Sequence, residues 1–555
     1  MLAHAREALY GHIFCAFILR DSQEVMSGGI FKSLATVSGM TMVSRVLGFV
    51  RQILIAGVIG AGGNPVADAF WAAFRLPNMF RRLFAEGAFH AAFIPMFQGK
   101  QVEEGPAAAK AFAEEVLVGL IFILTLFTAL VELAAPLFVL MIASGFESDA
   151  DKFALTTLYT RIMFPYLMMM SLVGLFSGIL NSLGRFAASA GAPLALNICM
   201  ITVILVFADA KTHVTGTALA WAVFAGGLVQ LIILGIGAWR RGYLLKLRMP
   251  RLTPDTRRLI ALGAPGFISA GAVQINLIIG TNIASQEAGA VSWLMNADQL
   301  YQLPLAVIGI ALSVILLPML SRRVKEGDDR GAARALNRSL ELSALLCFPA
   351  AVAFVVMGIP ICDALFRGLA SDALSLFGGR ASAFTENDVV MTGGALAMFG
   401  FGLPAFVWHK IFSPAYFARE DTRTPMNYAL VAIGINTVLA LILFPIFGFM
   451  SVVFATVIAA WVQVALLAYR LFRKGYFIIS AHLISRLGRI VLASIGLAGF
   501  LYFALPYTDQ LASIVWERAW IVTVAISVAG MGVYGILALL LGAAKLSDYK
   551  DVARG

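Results

Sequence analysis

Residues Ser38–Gln52 read SGMTMVSRVLGFVRQ, and their pattern decides what kind of molecule this is. Wound as a helix at about 100° per residue, Ser38, Thr41, Ser44, Arg45, Gly48, Arg51 and Gln52 share roughly 140° of the circumference. The opposite face carries Met42, Val43, Val46, Leu47, Phe49, Val50, Ile53 and Leu54. The stretch is of membrane length and carries two arginines on one polar stripe. An arginine at mid-bilayer costs at least about 2.5–3.5 kcal/mol on insertion scales. Such a stripe is tolerated where it faces a watery cavity and meets an anion there. The pattern predicts a transporter.

The rest of the chain agrees. Its 555 residues are 60% hydrophobic and 13% charged, with a mean hydropathy of +0.87. That composition defines an all-α integral membrane protein, because the apolar runs are continuous and do not alternate with the period of two a barrel needs. Counting runs of about 20 residues predicts fourteen transmembrane helices. The second, 66–98, is interrupted by charges and by Pro77, where a kink or a break is expected. Residues 1–26 are expected to be an N-terminal extension, disordered or ahead of the native start, with Met26 reading as a better natural start. The four cysteines lie far apart, with no metal-like spacing.

Loop charge gives an orientation. The loops after spans six, eight and twelve are basic: the first reads RRGYLLKLRMPRLTPDTRR from Arg240 to Arg258. The odd-numbered loops are acidic or neutral, as in GFESDAD (145–151), SQEAG (285–289) and FTEND (384–388). The even loops and both termini are therefore expected in the cytoplasm. The net charge of +10 is a topology signal, with anionic lipid headgroups and not nucleic acid as its partner.

A weak repeat divides the chain. Leu76-Pro77 and Ile94-Pro95-Met96-Phe97 of span two recur as Leu303-Pro304 and Leu317-Pro318-Met319-Leu320 of span eight. The expected organisation is an N-lobe at 27–245 (spans 1–6) and a C-lobe at 246–475 (spans 7–12), in parallel pseudo-repeat around a central cavity. Spans 13–14 and a tail follow at 476–555. Transporters of that design hold substrate between the halves and rock them.

Span two adds charge to the stripe. Asp68, Arg75, Asn78, Arg82, Glu86 and His90 share one helical face, with Arg81 about 100° away. Five arginines (45, 51, 75, 81, 82) stand against Asp68 and Glu86, and Arg82 and Glu86 are spaced to pair. The excess suits a phosphate or diphosphate, whose oxygens the guanidinium fork binds bidentately. Two plainer readings stay open: Arg81 and Arg82 snorkelling to an interface, and Arg75 pairing with Asp68. His90 reads as a packed histidine, and Glu132 with Arg161 as a structural pair. In the C-terminal half Asp298 could bind a coupling cation, orient an arginine or cap a helix. His409-Lys410 reads equally as cavity-facing or as an interfacial anchor. No P-loop and no catalytic constellation occurs, so neither ATP hydrolysis nor an enzymatic activity is expected.

At these residues the chain resembles the MurJ/MviN family of lipid II flippases, within the multidrug/oligosaccharidyl-lipid/polysaccharide exporter superfamily. The likeness is carried by KSLATVSGMTMVSRVLGFVR, ADAFWAAFRLPNMFRRLFAEGAFHAAFIP, DKFALTTLYTRIMFPY and GAVSWLMNADQL. It implies two six-helix lobes around a V-shaped cavity, with spans 13–14 lining a groove for an undecaprenyl tail. The cargo it implies is lipid II, the undecaprenyl-diphosphate-linked peptidoglycan precursor, moved from the cytoplasmic to the periplasmic leaflet. The substrate-binding set it implies is Arg45, Arg51, Asp68 and Arg81, with Ser44, Glu86 and Asp298 beside them; Arg82 belongs to the set by the helical wheel. No cofactor is expected. Coupling would come from the membrane potential or a monovalent cation, and the chain is expected as a monomer, with cell-wall synthesis proteins as further candidate partners. Gln52 and Gln299 depart from the family, which often has an acid and an arginine there. Rival readings are a flippase for another polyprenyl-linked glycan, a multidrug/cation antiporter and a non-transporting scaffold.

Overall fold

The computed structural model describes residues 36–37, 39–62, 64–84, 88–247, 249–513 and 518–544. The extension 1–26, Ser38, Glu86 and the end of the tail lie outside them, as does the side chain of Arg82.

The described residues are almost wholly helical. The first half contains α1 (Gly39–Ile59), α2 (Pro65–Phe84), α3 (Ala88–Glu103), α4 (Pro106–Leu133), α5 (Ala135–Ala143), α6 (Ala150–Met163), α7 (Tyr166–Ser182), α8 (Phe186–Val206) and α9 (Thr212–Trp239). The second contains α10 (Pro254–Ala284), α11 (Ala290–Pro304), α12 (Ala311–Lys325), α13 (Asp329–Cys362), α14 (Ala370–Ser375), α15 (Glu386–Phe417), α16 (Arg423–Phe447) and α17 (Met450–Arg473). Then come α18 (Ala481–Ala504), α19 (Thr508–Ala512) and α20 (Ala519–Leu540). Among the described residues twelve helical stretches are long and apolar enough to cross a bilayer. The other two expected spans fall on α2–α3 and on α10.

Prolines shape the spans differently from expectation. Pro77 lies inside α2, which continues through it to Phe84 without a break. One missing N–H removes a single rung of the ladder, and the rungs on either side keep the helix. In span eight the effect is larger. Pro304 is followed by a π-helical turn over Leu305–Ile310 before α12 resumes the α-helix. A second π-turn, Asp363–Leu369, follows Pro360 at the end of α13.

The repeat read from the sequence reappears as packing. In the first half α2 packs on α6, α4 on α7, α7 on α9 and α8 on α9. In the second, α11 packs on α15, α13 on α15, α15 on α17 and α16 on α17. These are the same pairings of spans, shifted by six. The helix α10 touches both halves, meeting α2, α3 and α5 on one side and α16 on the other. The last pair is a satellite: α18 lies on α13, and α20 lies on α18.

Candidate functional site

The two halves meet where the odd-numbered loops lie. Asp68 on α2 is 1% exposed and reaches across to the start of α11. Its Oδ2 accepts the N–H of Gly289 at 2.7 Å, and its Oδ1 accepts the N–H of Ser292 at 3.0 Å and that residue's hydroxyl at 2.8 Å. A carboxylate from one half thus caps a helix of the other, satisfying free amides at the positive end of the helix dipole. Lys152 on α6 completes the group, with Nζ 3.3 Å from Asp68 Oδ2. Gly289 is required here: its φ is +89°, and a Cβ would stand 2.5 Å from Gly62 Cα.

Other bonds close the same end. Asp388 on α15, itself buried, accepts the N–H of Gly62 at 2.6 Å and the indole N–H of Trp293 at 2.7 Å. Gln52 on α1 donates to Asn296 on α11 at 2.7 Å, wholly buried. The N–H of Gly145 donates to the Ser285 hydroxyl at 3.0 Å, and a Cβ at Gly145 would meet the Ser285 carbonyl at 2.3 Å. The Ala383 N–H donates to the Gly57 carbonyl at 2.6 Å, and Arg380 pairs with Asp209 at 2.9 Å. The odd-loop end is a latch.

Toward the even-loop end α1 exposes its apolar face and stays tied to α8. Ile53, Ile55 and Ile59 are at most 3% exposed, whereas Met42, Val43 and Val46 are 60%, 52% and 54% exposed. Arg45 is exposed on this stretch and Ser44 half-buried. Arg51 sits at the junction. One of its Nη atoms donates to Asn197 Oδ1 on α8 at 2.8 Å, while Asn197 Nδ2 donates to the Ser44 carbonyl at 3.0 Å. Its Nε is buried with no hydrogen-bond partner, and among the described residues no carboxylate pairs with it.

Arg75 hydrogen-bonds Thr281 on α10. The Asp298 carboxylate accepts from Gln302 and from the hydroxyl of Tyr301, which also lies in the field of Arg75. Arg75 therefore faces the second half, and the ion-pair partner of Asp68 is Lys152. Arg81 is half-buried and donates to Asn78 Oδ1 at 3.2 Å. The Arg82–Glu86 pairing lies outside the described side chains.

Of the remaining sequence candidates, His90 is half-buried with Nε2 2.8 Å from the Gly174 carbonyl, a packed histidine. Arg161 meets Glu132 through the latter's backbone carbonyl, at 3.2 Å. Lys410 lays its stem along Gly309, and the Nδ1 of His409 is buried without a hydrogen-bond partner. Between α18 and α20 an apolar hollow of about 530 Å³ is lined by Phe500, Tyr507, Ile521, Val522 and Ile526.

Sequence reading missed Lys152, Ser292, Asn296, Asp388 and Asn197 as members of this assembly. Asp388 closes the acidic FTEND loop, Lys152 follows GFESDAD, and Ser292 and Asn296 lie in GAVSWLMNADQL, but no local pattern pairs any of them with Asp68 or Gln52.

Two like halves of membrane-spanning helices, joined at the odd-loop end by buried polar contacts, give the architecture of a polytopic transporter. The model of one family, described as "Lipid II flippase MurJ", matches residues 55–523. A Rhizobium meliloti protein named "Probable lipid II flippase MurJ" is 42% identical over 535 residues, covering 95% of this chain and 97% of its own. A Rhizobium tropici protein of the same name is 40% identical over 92% of this chain and 94% of its own. The fold matches a solved structure titled "Lipid II flippase MurJ, inward closed conformation", with a TM-score of 0.73, 23% identity, and coverage of 93% of this chain and 99% of that one. The chain belongs to the MurJ family of lipid II flippases.

Proposed function

We propose that this protein carries lipid II from the cytoplasmic to the periplasmic leaflet of a bacterial inner membrane, its arginine stripe receiving the diphosphate. The observation that carries the reading is Arg51. It is a guanidinium between α1 and α8 with a buried, unpartnered Nε and an amide oxygen where a carboxylate would be expected. Burying a cation without an anion is costly, so the position favours one brought by the cargo. Arg45 and Arg81 extend the same positive path, and Ser44 lies beside it. Asp68 serves the latch, and Asp298 is engaged with Gln302 and Tyr301. The names of the relatives, at 40–42% identity along nearly the whole chain, supply the cargo.

With the basic even loops taken as cytoplasmic, this reading makes the latched end periplasmic. The headgroup would enter beside the exposed stretch of α1 while its tail stays in lipid, with the hollow between α18 and α20 as a seat for that tail. The driving force is the membrane potential acting on the fixed arginines, about 2.3 kcal/mol per charge per 100 mV, or a monovalent cation.

The test is complementation of a strain depleted of its own lipid II flippase, with wild type and Arg51→Ala at matched membrane levels. Rescue by wild type alone is expected. No rescue by well-inserted wild type would move the cargo to another polyprenyl-linked glycan, and rescue by both would remove Arg51 from the mechanism.

A further inference from the structure

A second basic cavity lies away from the transport path, where α13 and α18 begin at the even-loop end. It measures about 580 Å³, and its walls include Arg330, Arg334, Arg338, Arg486, Glu341 and Asn337. Four arginines face one carboxylate there. Arg330, Arg334 and Arg338 stand four residues apart along the first turns of α13, so like charges stack on one face and weaken the helix. The single acid, Glu341, is engaged by Arg486. Glu341 is 5% exposed and bonded to Arg486 at 3.0 Å, with His482 3.9 Å away. Among the described residues neither Arg330 nor Arg334 has an ion-pair partner, and both are exposed.

Two further features mark the cavity as a receptor. Asn337 donates its Nδ2 to the Ile478 carbonyl at 2.8 Å, yet its Oδ1 is buried and accepts nothing. The linker residues Ile478 and Ser480 form the opposite wall, so the cavity joins the satellite helices to the second half. A ligand here must be anionic and reach a site at the membrane boundary, and one that also offers an O–H or N–H can satisfy Asn337.

We propose that this cavity binds the phosphate of an anionic phospholipid bearing a hydroxylated headgroup, which pins α18 to α13. Arg330 and Arg334 take the phosphodiester, and the headgroup hydroxyl satisfies Asn337. Basic pockets between helix ends on this side of a membrane suit such headgroups. The inference stands whatever the cargo is.

The test uses the full chain purified in neutral detergent, exposed to phosphatidylglycerol or phosphatidylcholine and examined by native mass spectrometry. Retention of phosphatidylglycerol over phosphatidylcholine is expected. Arg330→Gln/Arg334→Gln should lower that retention on the order of tenfold, while Arg330→Lys/Arg334→Lys keeps most of it. Arg251→Gln/Arg257→Gln, with the same loss of charge in another loop, should leave it unchanged. Equal retention of both lipids, full retention by the glutamine variant, or an equal loss in the Arg251/Arg257 control would overturn the proposal. Inorganic phosphate separates the sources: displacement of the lipid at physiological phosphate would make this a site for the free anion and overturn the lipid assignment.

Discussion

Asp68 and Ser292 stand on opposite halves of the molecule, and one oxygen of the Asp68 carboxylate accepts both the N–H and the hydroxyl of Ser292, at 3.0 and 2.8 Å. Hydrogen bonds to a charged group are worth about 1.5–3 kcal/mol each, so this contact can bias which end of the transporter is open. Any state open at the odd-loop end must break it.

Asp68→Ala should release the odd-loop end. With a single cysteine at Asn296 in a background lacking the native cysteines, labelling by a membrane-impermeant thiol reagent from the periplasmic side should rise about tenfold or more. Unchanged labelling would remove Asp68 from the latch.

Lys152 and Asp68 are coupled, with side chains 9% and 1% exposed. Lys152→Met alone leaves a buried carboxylate without its cation and should cost roughly 3–5 kcal/mol of stability. Asp68→Asn in the same chain should recover much of that, as melting in detergent would record. Additive effects would mean the pair does not interact.

Gly289→Ala should be destabilising at an otherwise invisible position. The φ of +89° and the 2.5 Å approach to Gly62 leave no room for a methyl group. A cost of about 1–3 kcal/mol is expected, seen as a lower melting temperature and an opened latch. Gly235, whose Cβ would meet nothing within 4 Å, is the control.

Arg51→Lys should fail to replace arginine. An ammonium cannot span Asn197 and an incoming phosphate as the guanidinium fork does, and the loss in cargo binding should be roughly tenfold. Binding of fluorescent lipid II to protein in nanodiscs would measure it; equal affinity would show that only charge matters.

In the loop between α15 and α16, burial alone would raise the Asp421 carboxyl. The Thr424 N–H and hydroxyl and nearby Lys474 outweigh that and hold it below its ordinary 3.8. A lowered carboxylate stabilises the fold above its ordinary range and loses that contribution as pH falls through the folded value. The melting difference between wild type and Asp421→Ala should therefore be present near neutral pH and vanish below pH 3.8. A difference unchanged in acid would mean that Asp421 acts only through packing.

The helices, their rough number and the parallel repeat were legible in the sequence, because bilayer thickness sets run length and hydrocarbon admits so few polar groups. The arginine stripe was legible for the same reason: Arg45 and Arg51 stand out where charge is expensive. The latch was not. Asp68 finds Lys152 at 84 residues' distance and Ser292 at 224, and Gln52 finds Asn296 at 244, separations over which no local pattern operates. Asn197 beside Arg51 and the empty acceptor on Asn337 were equally invisible, since an amide within an apolar run announces no partner. Local periodicity and solvation wrote the membrane class into the chain. Which charges meet, and at which end the halves close, depended on packing the helices in three dimensions.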